Sequence, residues 1–209
     1  MKEITVKLIF TEDILGTATC DKDIHSAYIA SKAPDALSME EEIAALGTEE
    51  TEARATSRFS RNDLDTPILF DYQIKGFFKA ACSALSRIGG RDKAHNESGK
   101  LKAHKKIIDT LIFVYPRQIP IHVNGDISYL QRPLRVSNAQ GERVALAKSE
   151  SIGAGSFIEI TIVCLADEHT KVVEEWLGYG RFVGLGQWRN ASYGRFSYEI
   201  LENWKDSAL

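Results

Sequence analysis

Cysteine is scarce in this chain. There are three, Cys20, Cys82 and Cys164, odd in number and far apart. That pattern excludes the disulfide framework of a small secreted domain and suggests reduced, buried thiols. No Cys-x-x-Cys or His-x-x-x-His pair is present, so no structural zinc site is expected. Apolar runs are short: none approaches the roughly 18 residues of a membrane span. The opening MKEITVKLIF alternates where a signal peptide would carry an apolar block. A cytoplasmic location with no membrane partner is therefore expected. Five prolines and 15 glycines are too few for a collagen-like or linker-dominated chain. No Ser-His-Asp or paired-carboxylate signature stands out, and neither a cofactor nor a metal is expected.

What the chain does have is core material. Hydrophobic residues make up 44% and charged residues 26%, near the globular average, which argues against general disorder. Its 209 residues suit one domain able to bury its core without cross-links. The net charge of -3 conceals an asymmetry. Residues 1–66 hold 7 Lys/Arg against 14 Asp/Glu, whereas residues 75–148 hold 14 against 5. The basic stretch suits a polyanion, with the acidic segment facing elsewhere; the plainer alternative is a solvated helix face.

Residues 2–10 put Ile4, Val6, Leu8 and Phe10 on one face of a strand. Asp21 or Asp23 caps a short helix to about residue 32, and Ser38 with Glu41 predicts another over 39–46. The polar stretch 47–66 reads as a surface loop. Asp71 caps a helix over 72–88, with Ile74, Phe77, Phe78, Ala81 and Leu85 at helical spacing. A short helix over 101–110 follows, then a buried strand at 111–115. Ile119–Val123 and Ile127–Val136 flank Asn124-Gly125, the favoured two-residue hairpin turn. Strands at 142–151 and 156–165, a helix at 168–179, a Gly-rich stretch and a last strand at 196–201 complete the chain. Two βαβ-like halves emerge. The expected fold is α+β: a ferredoxin-like, RRM-like antiparallel sheet with helices on one face, a β-hairpin insertion at about 117–150, a polar acidic insertion at about 35–66 and a C-terminal Gly-rich loop.

Two constellations carry chemistry. In GLGQWRNASYGRF, Gly184, Gly186 and Gly194 permit positive φ and close backbone approach. Their N–H groups can nest a phosphate, Arg189 and Arg195 add charge, and Trp188 and Tyr193 offer stacking surfaces for bases. The structural alternative is a crossover that packs its aromatics inward. It is not a dinucleotide fingerprint, because it follows a helix and precedes a strand. In DYQIKGFFKAACSAL, Lys75 and Lys79 share a face near a helix N-terminus, which suits a phosphate, though an ordinary core helix with solvated lysines has the same pattern.

On these motifs the chain resembles the RAMP superfamily of CRISPR-associated proteins (repeat-associated mysterious proteins). Tyr72-Gln73-Ile74-Lys75-Gly76 is similar to the family's Ser-Leu-Lys-Gly-type helix start, with Gln73 and Ile74 in place of the usual Gly-Ser pair. Ser192-Tyr193-Gly194-Arg195-Phe196 is similar to its Gly-x-Gly-Arg end before the last strand, although Trp188 interrupts the Gly-rich loop. Ile14-Leu15-Gly16 matches a step after the first strand, and Gly153-Ala154-Gly155-Ser156-Phe157 a turn before the penultimate one.

The resemblance is nearest to the backbone subunits of effector complexes. It implies a protein that holds single-stranded guide RNA by its phosphates, with copies of itself or other ribonucleoprotein subunits as partners. A hairpin thumb bearing Arg132 and Arg135 would kink the strand. A second reading is a metal-independent endoribonuclease, with His25 as general base and Tyr28 and Lys32 on the same helical face; Asp21 and Asp23 offer a metal-assisted variant. A third is a phage-type decoy that imitates such a subunit or sequesters a nucleotide signal.

Overall fold

The computed structural model describes residues 1–19, 56–88, 96–138 and 141–207. The helices expected at 21–32 and 39–46 lie outside the described residues. So do His25, Tyr28, Lys32, Asp21 and Asp23.

The core sheet is built from β1 (Lys2–Phe10), β7 (Ile112–Tyr115), β11 (Phe157–Cys164) and β12 (Phe196–Asp206), in the order β12-β1-β11-β7. Its described pairings are antiparallel. Each βαβ half straddles one strand of the other, which is the ferredoxin-like arrangement. Period-two alternation sets which face is buried: Ile4, Val6, Leu8 and Phe10 of β1 oppose Ile162, Ile160, Ile158 and their neighbours of β11. Two helices cover that face. α1 (Asp71–Leu85) buries Ile74, Phe77, Phe78, Ala81 and Cys82. α4 (Thr170–Tyr179), entered through a 3-10 turn at Asp167–His169, buries Val172, Val173, Trp176 and Leu177. Phe78 packs on Trp176 and Phe77 on Phe196. Each such buried side chain contributes roughly 1.5–3 kcal/mol.

Inside the first half, between α1 and β7, lie α2 (Glu97–Lys100) and α3 (His104–Leu111); β8 (Gln118–Pro120) follows β7. Buried Ser98 on α2 accepts from the Trp176 indole and donates to Glu175, pinning α2 to α4. Phe70, not Asp71, is the N-cap of α1; Gln73 substitutes for a capping side chain by accepting from the Phe70 N–H and donating to Thr17. Gln73 therefore ties the helix start to the strap after β1.

Two expectations are corrected. Part of the polar stretch 47–66 is strand: β4 (Thr56–Arg58) and β5 (Ser60–Arg61). Their pairing with larger neighbours uses backbone groups that leave no periodic trace in the side chains. The hairpin is also not the one turned by Asn124-Gly125. β8 pairs with β6 (Pro67–Phe70), and the hairpin is β9 (Ser128–Asn138) with β10 (Gly141–Ile152). Asn124 instead ties the turn before β11: its N–H reaches Ser156 Oγ at 2.8 Å and its side chain the Ala154 carbonyl at 3.2 Å.

Candidate nucleic-acid interface

The short segments singled out in the sequence converge at one place. The Phe10 N–H donates to the Ser156 carbonyl and the Gly155 N–H to the Phe10 carbonyl, joining the end of β1 to the Gly-Ala-Gly turn. Asp13, which no motif had marked, sits between them. Its carboxylate accepts from the Ala154 N–H at 3.2 Å and from the Ser151 hydroxyl at 3.4 Å, and its carbonyl accepts from the Gly194 N–H at 2.7 Å. Just beyond, β2 (Ile14–Leu15) lies against β10.

Glycine is required here for closeness. A Cβ on Gly184 would run into the backbone of Gly194, and one on Gly194 into the Leu185 carbonyl. The two limbs of the Gly-rich loop are thus clamped at their base, where the Leu185 N–H donates to the Gly194 carbonyl at 2.9 Å. Gly186, at φ +82°, packs on the Leu15 backbone. The loop's tip is a 3-10 turn at Arg189–Ala191 flanked by Trp188 (φ +53°) and Ser192 (φ +75°). Left-handed conformations outside glycine cost about 1 kcal/mol or more each, and a stack offsets them: the Trp188 and Tyr193 rings lie 5.3 Å apart and 10° from parallel.

The loop meets the hairpin root through Gln187. Its Oε1 accepts from Ser149 Oγ and Arg132 Nη2, both at 3.4 Å, and its Nε2 donates to Ser57 Oγ at 3.1 Å. The Arg132 guanidinium lies 4.3 Å over the Trp188 ring. Its Nε and Nη1 are buried without a hydrogen-bond partner. Below this layer, buried Glu150 accepts from Arg61 and from the Phe59 N–H, each at 2.8 Å, fixing β10 against β4 and β5. An open groove of about 290 Å³ flanks the loop, lined by Glu12, Asp13, Ala191, Ser192 and Tyr193.

Gly184, Gly186, Trp188, Arg189, Tyr193, Gly194, Arg195 and Arg132 therefore fall in one neighbourhood. Lys75 and Lys79 do not. Lys75 lies over the Phe113 ring at 4.8 Å, and Lys79 pairs with Asp109 at 2.6 Å, both beside β7, at the sheet edge opposite β12. Arg135 is on β9 in register with Val144. Trp188 and Tyr193, the surfaces expected to stack on bases, stack on each other, and Arg132 lies over the Trp188 ring. Nothing in the sequence marks Gln187, a lone amide among glycines; its role depends on residues 38 and 130 positions away.

No protein-family model and no curated protein matches the sequence. Among solved structures, the chain is similar to one from the Type III-B Cmr-beta complex bound to cognate target RNA, solved by cryo-EM. The identity is 10% and the TM-score 0.49, over 98% of this chain and 60% of that one. It is also similar to a chain of a Type IV-B CRISPR complex, at 12% identity and a TM-score of 0.48, over 100% of this chain and 94% of that one. The chain thus spans about 60% of the length of the Type III-B chain.

Proposed function

We propose that this protein is a RAMP-type RNA-binding subunit that holds single-stranded RNA by its phosphates where the Gly-rich loop meets the hairpin root. The observation that carries this reading is the convergence of three separate motif segments, at 14–16, 153–157 and 184–196, with the hairpin root on one junction, together with its charge. Among the described residues, Arg132, Arg189 and Arg195 are in no ion pair. Three arginines free of ion pairs at a backbone-clamped loop suit a polyanion. In this reading the ribbon β9–β10 is the thumb, Arg135 lies on it, and further copies or other subunits complete the ribonucleoprotein.

The test is purification at moderate salt, with absorbance at 260 and 280 nm and sequencing of bound nucleic acid, followed by titration of single-stranded RNA. Wild-type protein is expected to retain RNA and to bind it with strong salt dependence. Neutralising Arg132, Arg189 and Arg195 together should reduce the slope of log affinity against log salt by about 2, at roughly 0.7 per lost phosphate contact. Protein that carries no nucleic acid and fails to bind RNA at low salt would overturn the reading.

A further inference from the structure

Stacking surfaces are not confined to the tip of the Gly-rich loop. There Trp188 and Tyr193 stack on each other and Arg132 lies over Trp188; the base of the loop carries one more exposed ring. At the other end of the same loop, just after α4, Phe182 is 55% exposed. An isolated exposed apolar residue needs no explanation; the surroundings of this one do. The Arg181 guanidinium lies 4.9 Å over its ring. Tyr179 supports the ring from the core side, with centroids 6.1 Å apart. Arg195 Nε donates to the Phe182 carbonyl at 3.1 Å, which ties that guanidinium to the Phe182 backbone; among the described residues its terminal nitrogens have no hydrogen-bond partner. Among the described residues neither Arg181 nor Arg195 is in an ion pair.

From this geometry we infer that Phe182, Arg181 and Arg195 form a nucleotide subsite for single-stranded RNA, in which a base stacks on the Phe182–Arg181 platform and the Arg195 terminal nitrogens take the adjacent phosphate. This rests on the RNA-binding reading above and adds to it a contact that does not discriminate between bases, since every base offers a π face. The clamp of Gly184 on Gly194 holds Phe182 and Arg195 together on adjacent limbs of the loop. The subsite is therefore preorganised, not assembled by the ligand.

The experiment uses the full chain and a 5′-labelled oligouridylate containing 4-thiouridine. Phe182→Ala is expected to weaken binding about tenfold, the scale of one lost base stack, while Phe182→Trp binds as wild type does. Arg195→Gln should weaken binding and lower the salt slope by about 0.7, the loss of one phosphate contact, whereas Arg181→Gln should weaken binding through the lost stacking platform. Photocrosslinks should map to the peptide spanning 181–183. If Phe182→Ala binds like wild type and crosslinks fall only elsewhere, the subsite is overturned while RNA binding stands. If wild-type protein binds no oligouridylate and yields no crosslinks, both are overturned. Phe182 is largely exposed, and unchanged thermal unfolding of Phe182→Ala would separate lost contact from lost fold.

Discussion

Two glycines with similar sequence standing have opposite structural roles. Gly184 faces backbone that a methyl group would penetrate, so Gly184→Ala should destabilise the fold by about 1–3 kcal/mol, read as a lowered denaturation midpoint. Gly76, on α1, has nothing within 4 Å of a built Cβ. Gly76→Ala should therefore stabilise by roughly 0.5–1 kcal/mol, the ordinary helical difference. If that variant gains stability yet loses RNA affinity, Gly76 serves a close approach of ligand. The thiols make a third residue-scale case. Burial pushes the Cys164 thiol up to about 12 and raises that of Cys82 as well. Both should stay unmodified by a thiol reagent at pH 8 in native protein and react on unfolding, as followed by mass spectrometry.

At the scale of elements, the distal half of β9–β10 pairs only with itself among the described strands, whereas the root is held by β2, β4 and Gln187. Replacing residues 133–146 with a tight turn should leave the melting temperature nearly unchanged while weakening RNA binding. A large drop in melting temperature would make the ribbon part of the fold's support instead. The elements also differ in how far they were legible. β1, α1, α4 and β11 announce themselves because their buried faces keep strict periods of 2 or 3.6. The hairpin was misplaced because Asn124-Gly125 satisfies a local turn rule, while the actual partner of β9 is decided by tertiary pairing with β10. In the site, the glycines and arginines were legible from their density. Asp13, Gln187 and Phe182 were not, since an acid in a turn, an amide in a loop and a phenylalanine after a helix gain meaning only from what lies across the fold.

At the scale of the molecule, β1 and β12 bring the two ends of the described chain together. Lys2 pairs with Asp206 at 2.7 Å, and Lys205 reaches Glu202 and Glu3. Hydrogen bonding to these lysines lowers the pKa of Asp206 and Glu202, and the same bonds raise those of Lys2 and Lys205. A lowered carboxylate pKa gives stability that is present above the usual carboxylate value and is lost as pH falls through the lowered one. A raised lysine pKa gives stability that is present below the usual lysine value and is lost as pH climbs through the raised one. These pairs lie at the solvent-facing edge of the sheet, so the effect is small and screened. The melting temperature should be flat near neutrality and decline slightly in acid and in strong alkali, with both declines reduced at high salt. A decline unaffected by salt would assign it to other groups.

The strand order also has a consequence during synthesis. β1 occupies the middle of the core sheet, and the strands on both its edges come from residues 157–206. At a synthesis rate of roughly 5–20 residues per second, a ribosome that has made β1 takes about 7 to 30 seconds more to reach the first of those partners. Through that interval the apolar face of β1, Ile4, Val6, Leu8 and Phe10, has no native edge to pair with. A nascent chain stalled before residue 157 is thus the stage at which holdase chaperones should bind the amino-terminal segment most strongly.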